Sequence, residues 1–420
     1  MTLACGIDFG TSNSSVAIRD RHAPRLLPIQ RGATSVPTAL FFSFDDDSTT
    51  FGDEAKERYF AREPGRYLRA IKSVLGTALF EETTQVKLKP YAFGDIIAAF
   101  LKFVRGAAGE SLGSPPTSVV LGRPAFFVDD DPKADAAAER QLATAARAAG
   151  FEQIAFQFEP IAAALDYEQS VRTEEIALVA DIGGGTSDFS VVRVSPERAS
   201  ASDRRQDILS FTGVHIGGTD FDRQLALATI MPELGLRSML RTKGLHAPAW
   251  YFFDLATWHK IGFLYEPRVL TEIRGILRDS TEPEKIERLL RVLEQRRGHE
   301  LLAAVEAAKI ELSHADLAML NLADNVAGIL RQITRAELEA AVAESLARIK
   351  SRINDVLRMA GLTPDAVSAV FLTGGATRMP SVRQSIAAAV PGARLTAGDA
   401  FGSVATGLAL DAARRFEGRD

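Results

Sequence analysis

Two glycine-rich turns that share one strand-turn-strand pattern constrain the fold of this 420-residue chain more than any other feature. In the first, the apolar run at residues 3–7 is followed by Asp8 and a stretch of small polar residues up to Ser14. In the second, the apolar run at residues 176–180 is followed by Asp181 and a similar stretch. Each copy predicts a strand, a tight turn and a second strand. The repeat therefore predicts a diverged internal duplication.

Small residues follow the aspartate in both turns, and their exposed backbone N–H groups can face an anion. A third glycine turn, at residues 371–378, lies between a predicted strand and a predicted helix, where a ligand can approach the backbone closely. The chain has neither a G-x-x-x-x-G-K-[ST] loop nor a G-x-G-x-x-G motif after its first strand. Three such turns favour nucleotide binding over ordinary hairpin turns. The candidate phosphate contacts in the first two turns are Gly10, Thr11, Ser12, Asn13, Gly183, Gly184, Gly185 and Thr186.

The aspartates suit a hydrated divalent cation, which phosphoryl transfer needs together with donors around the phosphate and an oriented nucleophile. Asp8 and Asp181 occupy matching strand ends and are predicted to hold Mg²⁺ through water from opposite sides of a cleft. Thr186 and Asp188 are candidates for orienting the attacking water, because the duplication favours this role over simple turn capping.

Composition and charge exclude several classes of protein. Hydrophobic residues make up 46% and charged residues 25% of the chain, which are ordinary globular values, and the length predicts two or more lobes. The formal net charge of -5 gives no basic field, so we expect no binding to nucleic acid or membranes. The single cysteine, Cys5, and the lack of a signal peptide or an apolar span of ~20 residues predict a cytoplasmic protein. We expect it to be a monomer.

Seven short motifs carry a resemblance to a known family; they lie at residues 6–14, 122–127, 159–165, 181–188, 215–222, 333–338 and 371–380. Together they resemble the ATPase signatures of the 70-kDa heat-shock (DnaK-type) chaperone family, within the actin and sugar-kinase superfamily. The resemblance runs from about residue 3 to residue 410. It is closest to the short YegD-type members, which consist of little beyond the ATPase region.

The resemblance implies a role for particular side chains. Lys72 matches the family's catalytic lysine near the γ-phosphate, and Glu159 matches a carboxylate that orders the water shell of the metal. Asp181, Thr186 and Asp188 match the group that contacts the metal, the phosphate and the attacking water. The residues that match the rest of the nucleotide pocket are Gly217, Gly218, Glu306, Lys309, Ile310, Ser313, Gly374, Gly375 and Arg378.

The chain also departs from the family pattern. Ile310 stands where the family usually has an arginine that stacks on adenine. An isoleucine can cover the base but loses a cation–π interaction worth about 0.5 to 2 kcal/mol, so we expect weaker or less specific adenine binding. After the last predicted helix, at residues 401–415, the sequence has no apolar linker, β-sandwich or helical lid. We therefore expect no client-peptide binding in the family's usual manner.

The resemblance implies an α/β fold of two lobes, each a ribonuclease H-like mixed sheet flanked by helices, around a central nucleotide cleft. Lobe I would take residues 1–172 and 398–420, with a subdomain at about 38–104. Lobe II would take residues 173–397, with a helical subdomain at about 229–342. The implied function is slow ATP hydrolysis that switches the lobes between open and closed. The implied cofactors are ATP or ADP with Mg²⁺, and a protein client or co-chaperone is an implied partner.

Two local patterns complete the predictions. Thr334 and Glu337 form a capping box in front of a long helix, and Gly361 ends that helix. The aromatic group within residues 250–258 favours a local helical core over a partner-binding patch.

Three other functions stay open on the sequence alone. A small-molecule (sugar-type) kinase of the same superfamily would need an acceptor pocket and a base for a hydroxyl group. An actin-like filament protein would assemble in the presence of ATP. An inactive scaffold would bind ATP without turnover, although Lys72, Asp8, Asp181 and Thr186 argue against it.

Overall fold

The computed structural model describes residues 4–20, 23–124, 126–128, 131–168, 171–198, 201, 204–242, 244–258, 260–322, 328–397 and 402–416. The β-strands are β1 (Ala4–Phe9), β2 (Asn13–Arg19), β3 (Pro24–Leu26), β4 (Ser35–Pro37), β5 (Ala39–Ser43), β6 (Thr49–Phe51), β7 (Gly65–Arg69), β8 (Thr83–Val86), β9 (Lys89–Ala92), β10 (Ser118–Arg123), β11 (Gln153–Phe158), β12 (Glu175–Ile182), β13 (Ser187–Val194), β14 (Ile208–Val214), β15 (Leu317–Leu322), β16 (Ile329–Thr334), β17 (Ala369–Thr373) and β18 (Arg394–Ala397).

The α-helices are α1 (Gly52–Phe60), α2 (Phe93–Leu112), α3 (Pro132–Ala148), α4 (Glu159–Glu168), α5 (Gly218–Thr229), α6 (Trp250–Leu255), α7 (Pro267–Asp279), α8 (Pro283–Glu294), α9 (Gly298–Leu312), α10 (Arg335–Met359), α11 (Pro380–Ala387) and α12 (Ser403–Phe416). Short 3₁₀ turns occupy Ile71–Val74, Ala78–Glu81, Arg205–Asp207, Met231–Leu234, Ile261–Tyr265, Pro364–Ala366 and Gly375–Arg378.

Packing divides the chain into two compact units. The first contains residues 1–215, 350–377 and 386–420, and the second contains residues 216–349 and 378–385. The predicted lobe boundaries at residues 172 and 398 stay a prediction, and residue 398 lies outside the described residues.

Two sheets of the first unit repeat one strand order. In one sheet, β11, β10 and β1 run parallel, and β2 and β3 follow antiparallel, with β4 added beside β2. In the other, β18, β17 and β12 run parallel, and β13 and β14 follow antiparallel. The predicted duplication is thus confirmed, and with it the mixed α/β fold. Each repeat places its aspartate where a central strand turns into an antiparallel neighbour.

Burial explains why these central strands sit in mid-sheet. β1 and β12 are apolar along nearly their whole length, which is the pattern of strands covered on both faces. Helices α4 and α12 pack beside the first sheet and share a buried cluster with it that includes Ile161, Val404 and Leu408. Gly407 lets the two helices approach closely, because a Cβ atom there would overlap the backbone carbonyl of Ala162. This contact holds the last described helix against the core.

The first unit also carries smaller sheets. Strands β6, β5 and β7 form a three-stranded sheet, and β8 and β9 form a hairpin. Helix α2 buries one face, including Ile97, Phe100 and Leu101, in the same apolar cluster as β1 and β2. The chain between β4 and β5 is a single residue, Thr38, at the point where it passes from one sheet to another.

The regular elements among the described residues of the second unit are helices, 3₁₀ turns and the β15–β16 hairpin. The predicted capping box begins α10: the backbone N–H of Thr334 donates to Glu337, and the backbone N–H of Glu337 donates to the Thr334 hydroxyl at 3.1 Å. Helix α10 ends at Met359, and Gly361 follows with a φ of 68°. Both predictions about this helix are confirmed.

The aromatic segment of the second unit forms a local core, as predicted. Tyr251 and Phe252 are buried, and the Tyr251 hydroxyl donates to Glu272 at 2.9 Å. Trp250 and Phe253, one helical turn apart on α6, are 42% and 43% exposed. The segment thus contributes both core and surface residues. Among the described residues, no helix is long and apolar enough to cross a bilayer.

The α4–α12 contact predicts a sharp difference between two glycine substitutions. Gly407→Ala should lower the free energy of unfolding by about 1–3 kcal/mol, because the new methyl group must displace the Ala162 carbonyl. Gly106→Ala on α2 is the matched control: its Cβ would enter open space, so stability should rise by up to about 1 kcal/mol. Urea unfolding of both variants measures this difference. Equal stability changes would contradict the close approach of the helices.

Candidate nucleotide and phosphate site

The first glycine turn joins β1 to β2. Asp8 lies opposite Ser15 in the last part of the hairpin ladder, and residues 10–12 form the turn itself. Gly10 must lack a side chain, because a Cβ atom there would overlap the carbonyl oxygen of Asn13. The turn is therefore tight, and its residues Thr11, Ser12 and Asn13 are half-buried.

The second turn repeats this arrangement between β12 and β13. Asp181 lies directly opposite Asp188 in the ladder, and the N–H of Gly183 donates to the carbonyl of Thr186 at 3.0 Å to close the turn. The Thr186 hydroxyl donates to Asp188 at 3.1 Å, and Thr186 is exposed. Thr186 and Asp188 are therefore brought together at the rim of the turn, as a water-orienting pair requires.

The three turns meet within the first unit. A Cβ atom at Gly184 would overlap the Ser12 hydroxyl, so the first and second turns are in contact. Gly374, at a φ of 83°, approaches the second turn so closely that a Cβ atom would lie 2.6 Å from Asp181 Oδ1. Glycine is required at this position by both conformation and space. Residues that are far apart in sequence thus build one backbone-lined surface.

An ion pair lies among these turns. Lys72 Nζ donates to Glu159 Oε1 at 2.7 Å, and the two side chains are only 9% and 14% exposed. Lys72 lies on the 3₁₀ turn Ile71–Val74, and Glu159 is the first residue of α4. Gly122 on β10 leaves room for the glutamate, since a Cβ atom there would lie 3.1 Å from Glu159 Cγ. The sequence analysis did not single out Gly122 for this role, although the motif at residues 122–127 contains it.

Electrostatics set the protonation of the site. Burial and the neighbouring Glu159 raise the pKa of Asp8 to about 7. Burial and the charges of Glu159, Asp188 and Asp8 also raise the pKa of Asp181 well above its ordinary value. Burial acts to lower the pKa of Lys72, but the surrounding carboxylates outweigh it and raise that pKa. Lys72 therefore stays charged. Asp8 and Asp181 lose their protons less readily than ordinary carboxyl groups, and a bound cation would favour their ionised forms.

The donor set fits a hydrated magnesium ion. The charge of Glu159 raises the pKa of both Asp8 and Asp181, the charge of Asp188 also raises the pKa of Asp181, and Lys72 offsets part of this effect. Carboxylate oxygens are the ligands that Mg²⁺ prefers, and this ion usually keeps several of its waters. Within the described residues, no three histidine, cysteine, aspartate or glutamate side chains are arranged to ligate one metal directly. Binding of a hydrated ion by Asp8 and Asp181 stays a prediction.

Of the predicted base-pocket residues, Gly374 and Gly375 lie in the first unit, and the others lie in the second unit together with the Gly217–Gly218 turn. Ser313 and Arg378 line one cavity of about 430 Å³, which His314, Pro380 and Arg383 also line. The sequence analysis did not select His314 or Arg383, although His314 directly follows a predicted contact. The structure therefore brings Ser313 and Arg378, both predicted to contact the nucleotide, together on one concave surface.

Other predicted base-pocket residues lie away from that cavity lining. Lys309 is buried, where its ammonium group pairs with Asp222 at 2.7 Å and donates to the Gly218 carbonyl at 3.2 Å. Ile310 is 55% exposed on α9, and Glu306 is half-buried on the same helix. Lys309 thus joins α9 to the start of α5, and its hydrogen bond to the Gly218 carbonyl supports the Gly217–Gly218 turn.

Comparison with known proteins decides the family. A family model described as "Hsp70 protein" matches residues 4–233 and 282–414, which include both glycine-turn hairpins, Lys72 and Glu159. The chain belongs to the Hsp70 family. It is 27% identical over 409 residues to "Chaperone protein DnaK" of Trichormus variabilis, a match that covers 91% of this chain and 50% of that protein. It is 27% identical over 407 residues to "Chaperone protein dnaK1" of a Nostoc species, with the same two coverages.

The Hsp70 match confirms the predicted family and the actin-like ATPase fold. Members of the Hsp70 family are ATPases. The chain spans about half the length of the curated relatives it matches, over their ATPase region. Residues 234–281, which include the aromatic segment, lie outside the family match.

The raised pKa of Asp8 predicts a pH-dependent gain in stability for Asp8→Asn. The folded-state pKa, about 7, exceeds the ordinary 3.8, so the stability that protonated Asp8 supplies is lost as pH rises between those values. Without nucleotide, the variant should therefore be more stable than the parent by roughly 2–4 kcal/mol at pH 8. The gain should shrink towards pH 4.

Chemical denaturation at pH 4, 6 and 8 measures this effect. Glu152→Gln, which removes an exposed carboxylate, is the control and should change stability by less than about 0.5 kcal/mol at each pH. A gain for Asp8→Asn that does not vary with pH would contradict a raised Asp8 pKa.

Proposed function

We propose that this chain binds Mg·ATP and hydrolyses it slowly to ADP and phosphate, as an Hsp70-type ATPase. The observation that carries the proposal is the buried Lys72–Glu159 pair, 2.7 Å long, among aspartates that border touching glycine turns. A site with excess negative charge, one buried ammonium group and converging backbone peptides suits a metal-bound polyphosphate.

The proposal gives each site residue of the first unit a specific role. Peptide N–H groups of residues 10–13 and 184–186 would hold the phosphates, while the Gly183 N–H closes the second turn. The Lys72 ammonium group would stabilise charge that develops on the transferred phosphoryl group. Asp8 and Asp181 would accept hydrogen bonds from the water of a bound metal, and Glu159, which pairs with Lys72, would help to order that water. When bound, Mg²⁺ supplies neutralisation of phosphate charge. Thr186 and Asp188 orient the attacking water from the rim of the second turn.

The base-binding wall is proposed on the cavity of the second unit. Ser313 and Arg378 would contact the adenosine there, since both line the cavity. The other residues that the family resemblance assigns to the nucleotide are Gly217, Gly218, Glu306, Lys309, Ile310, Gly374 and Gly375. Ile310 replaces a stacking arginine, so we expect adenine to be held more weakly than in the family pattern.

The proposal also covers the compartment, the oligomeric state and the conformational cycle of the chain. We expect the chain to act in the cytoplasm as a monomeric, YegD-like conformational switch that opens and closes with nucleotide state. A protein client or a co-chaperone is the expected partner. The predicted lobes, residues 1–172 with 398–420 and residues 173–397, are the bodies that would move.

Product release by the purified chain tests the proposal. ADP and phosphate should form together from Mg·ATP, slowly, and at the same rate whether or not sugars are added. ADP formation that requires a sugar, with no free phosphate, would instead identify a small-molecule kinase. ATP-dependent sedimentation would identify a filament protein, and tight ATP binding without ADP formation would identify a scaffold.

Lys72→Ala should separate binding from turnover. The variant should bind ATP nearly as well as the parent but hydrolyse it at least ~10²-fold more slowly, because a positioned cation acts mainly on transition-state charge. Calorimetry measures the binding, and single-turnover ADP formation measures the rate. Lys102→Ala, which removes an exposed lysine from α2, is the control and should match the parent. Equal rates for Lys72→Ala and the parent would remove the catalytic role from Lys72.

A further inference from the structure

Thr38 is the one residue between strands β4 and β5, and it is almost completely buried, at 1% exposure. Strand β4 pairs with β2, directly after the first glycine turn, while β5 pairs with β7, directly before the segment that carries Lys72. Thr38 therefore lies in the chain between a strand that borders the phosphate turn and a strand that borders the lysine turn.

Thr38 holds two peptide groups of the first glycine turn. Its backbone N–H donates to the Ser12 carbonyl at 2.9 Å, and its hydroxyl donates to the Gly10 carbonyl at 2.7 Å. In a planar trans peptide the N–H points opposite to the C=O. Because the Gly10 and Ser12 carbonyls point towards Thr38, the N–H groups of Thr11 and Asn13 point away from it. These are two of the proposed phosphate donors.

The hydroxyl of Thr38 is itself fixed by a second buried hydroxyl. Ser14 Oγ lies 2.8 Å from Thr38 Oγ1, and both residues are 1% exposed. A hydroxyl carries one proton, and that of Thr38 is given to Gly10, so Ser14 donates to Thr38. The result is a short directional chain from Ser14 through Thr38 to the peptide between Gly10 and Thr11.

The carbonyl of Thr38 completes the link to the lysine. It accepts a hydrogen bond from the N–H of Ala70 at 3.2 Å. Ala70 has a φ of 55° and is the residue from which the 3₁₀ turn with Lys72 begins. A left-handed conformation is uncommon for alanine and persists only where its surroundings hold it. One buried residue thus bonds both to the phosphate turn and to the start of the lysine turn.

We propose that Thr38 is a positioning residue of the ATPase site: its hydroxyl orients the Gly10–Thr11 peptide for phosphate, while its backbone aligns the Lys72 turn with that peptide. The inference rests on the proposed function and adds to it a residue that contacts no substrate. If this is so, removing the Thr38 hydroxyl should lower kcat/KM for ATP by more than the accompanying loss of folding stability can explain.

The test compares three variants in steady-state ATP hydrolysis. Thr38→Val keeps the shape of the side chain but removes the donor to Gly10, and kcat/KM for ATP should fall about tenfold or more. Thr38→Ser keeps the hydroxyl and should stay within about twofold of the parent. Ser14→Ala is the matched control: it removes one buried hydroxyl of the same chain but leaves the Thr38–Gly10 bond, so kcat/KM should change by less than about threefold.

Melting temperatures separate positioning from folding. Thr38→Val and Ser14→Ala should lose stability to similar extents, whereas Thr38→Val should lose far more kcat/KM. If Thr38→Val does not fold, Thr38→Ala takes its place, because it leaves space instead of a methyl group beside two polar atoms.

The outcomes that overturn the inference are definite. Equal kcat/KM for the folded hydroxyl-free variant and Thr38→Ser would remove the role from the Thr38 hydroxyl. A loss of about tenfold in Ser14→Ala would assign the effect to the buried chain as a whole rather than to the Gly10 contact. A parent protein that neither binds nor hydrolyses ATP would overturn the proposed ATPase function itself, a result distinguishable from equal activities among active variants.

Discussion

Repulsion among buried carboxylates is the constraint on which the rest of the site depends. The charge of Glu159 raises the cost of ionising Asp8 and Asp181, and Lys72 relieves only part of it. Buried charge of one sign is unfavourable unless it is paired. At this site a bound cation can offset that cost. Elsewhere in the same unit, the buried carboxylates of Glu168 and Asp207 pair with Arg204. The cluster around Ile7, Phe9 and Phe100 is apolar.

Close approach of backbone is the second requirement, and glycine meets it. The turns touch at Gly184 and Ser12, and Gly374 presses against Asp181, so any side chain at those glycines would hold the turns apart. Peptide N–H groups are good hydrogen-bond donors to an anion, because the backbone fixes them and they lose little entropy when a ligand binds. The duplicated strand order supplies two such turns from one structural plan, and the third follows the next parallel strand, β17.

The second unit handles charge differently. Lys309 is buried against Asp222 and the Gly218 carbonyl, so its charge is satisfied inside the protein and it serves to join α9 to α5. The cavity lined by Ser313, His314, Arg378 and Arg383 has a basic lining instead. The segment at residues 234–281 lies outside the family match and buries its own apolar side chains, such as Phe252 and Leu255.

Local patterns in the sequence were sufficient for much of this structure. The two hairpins with their terminal aspartates, the capping box at Thr334 and Glu337 and the helix end at Gly361 depend on neighbours within a few residues. Such short-range preferences act through backbone conformation and hydrogen bonding, which the identities of adjacent residues largely determine. The repeated turn also predicted the repeated sheet, because both copies carry the same order of strand and turn.

The pairing of Lys72 with Glu159, 87 residues later, was decided by tertiary structure. By composition Lys72 is an ordinary surface lysine, and only its resemblance to a family motif marked it. Thr38 carried no signal at all in the sequence, because its importance comes from lying between two sheets. The same reason applies to Lys309, whose motif suggested a ligand contact while packing joined it to Asp222. Contacts between distant segments depend on how whole elements pack, and a local sequence pattern contains no information about the partner that packing will bring.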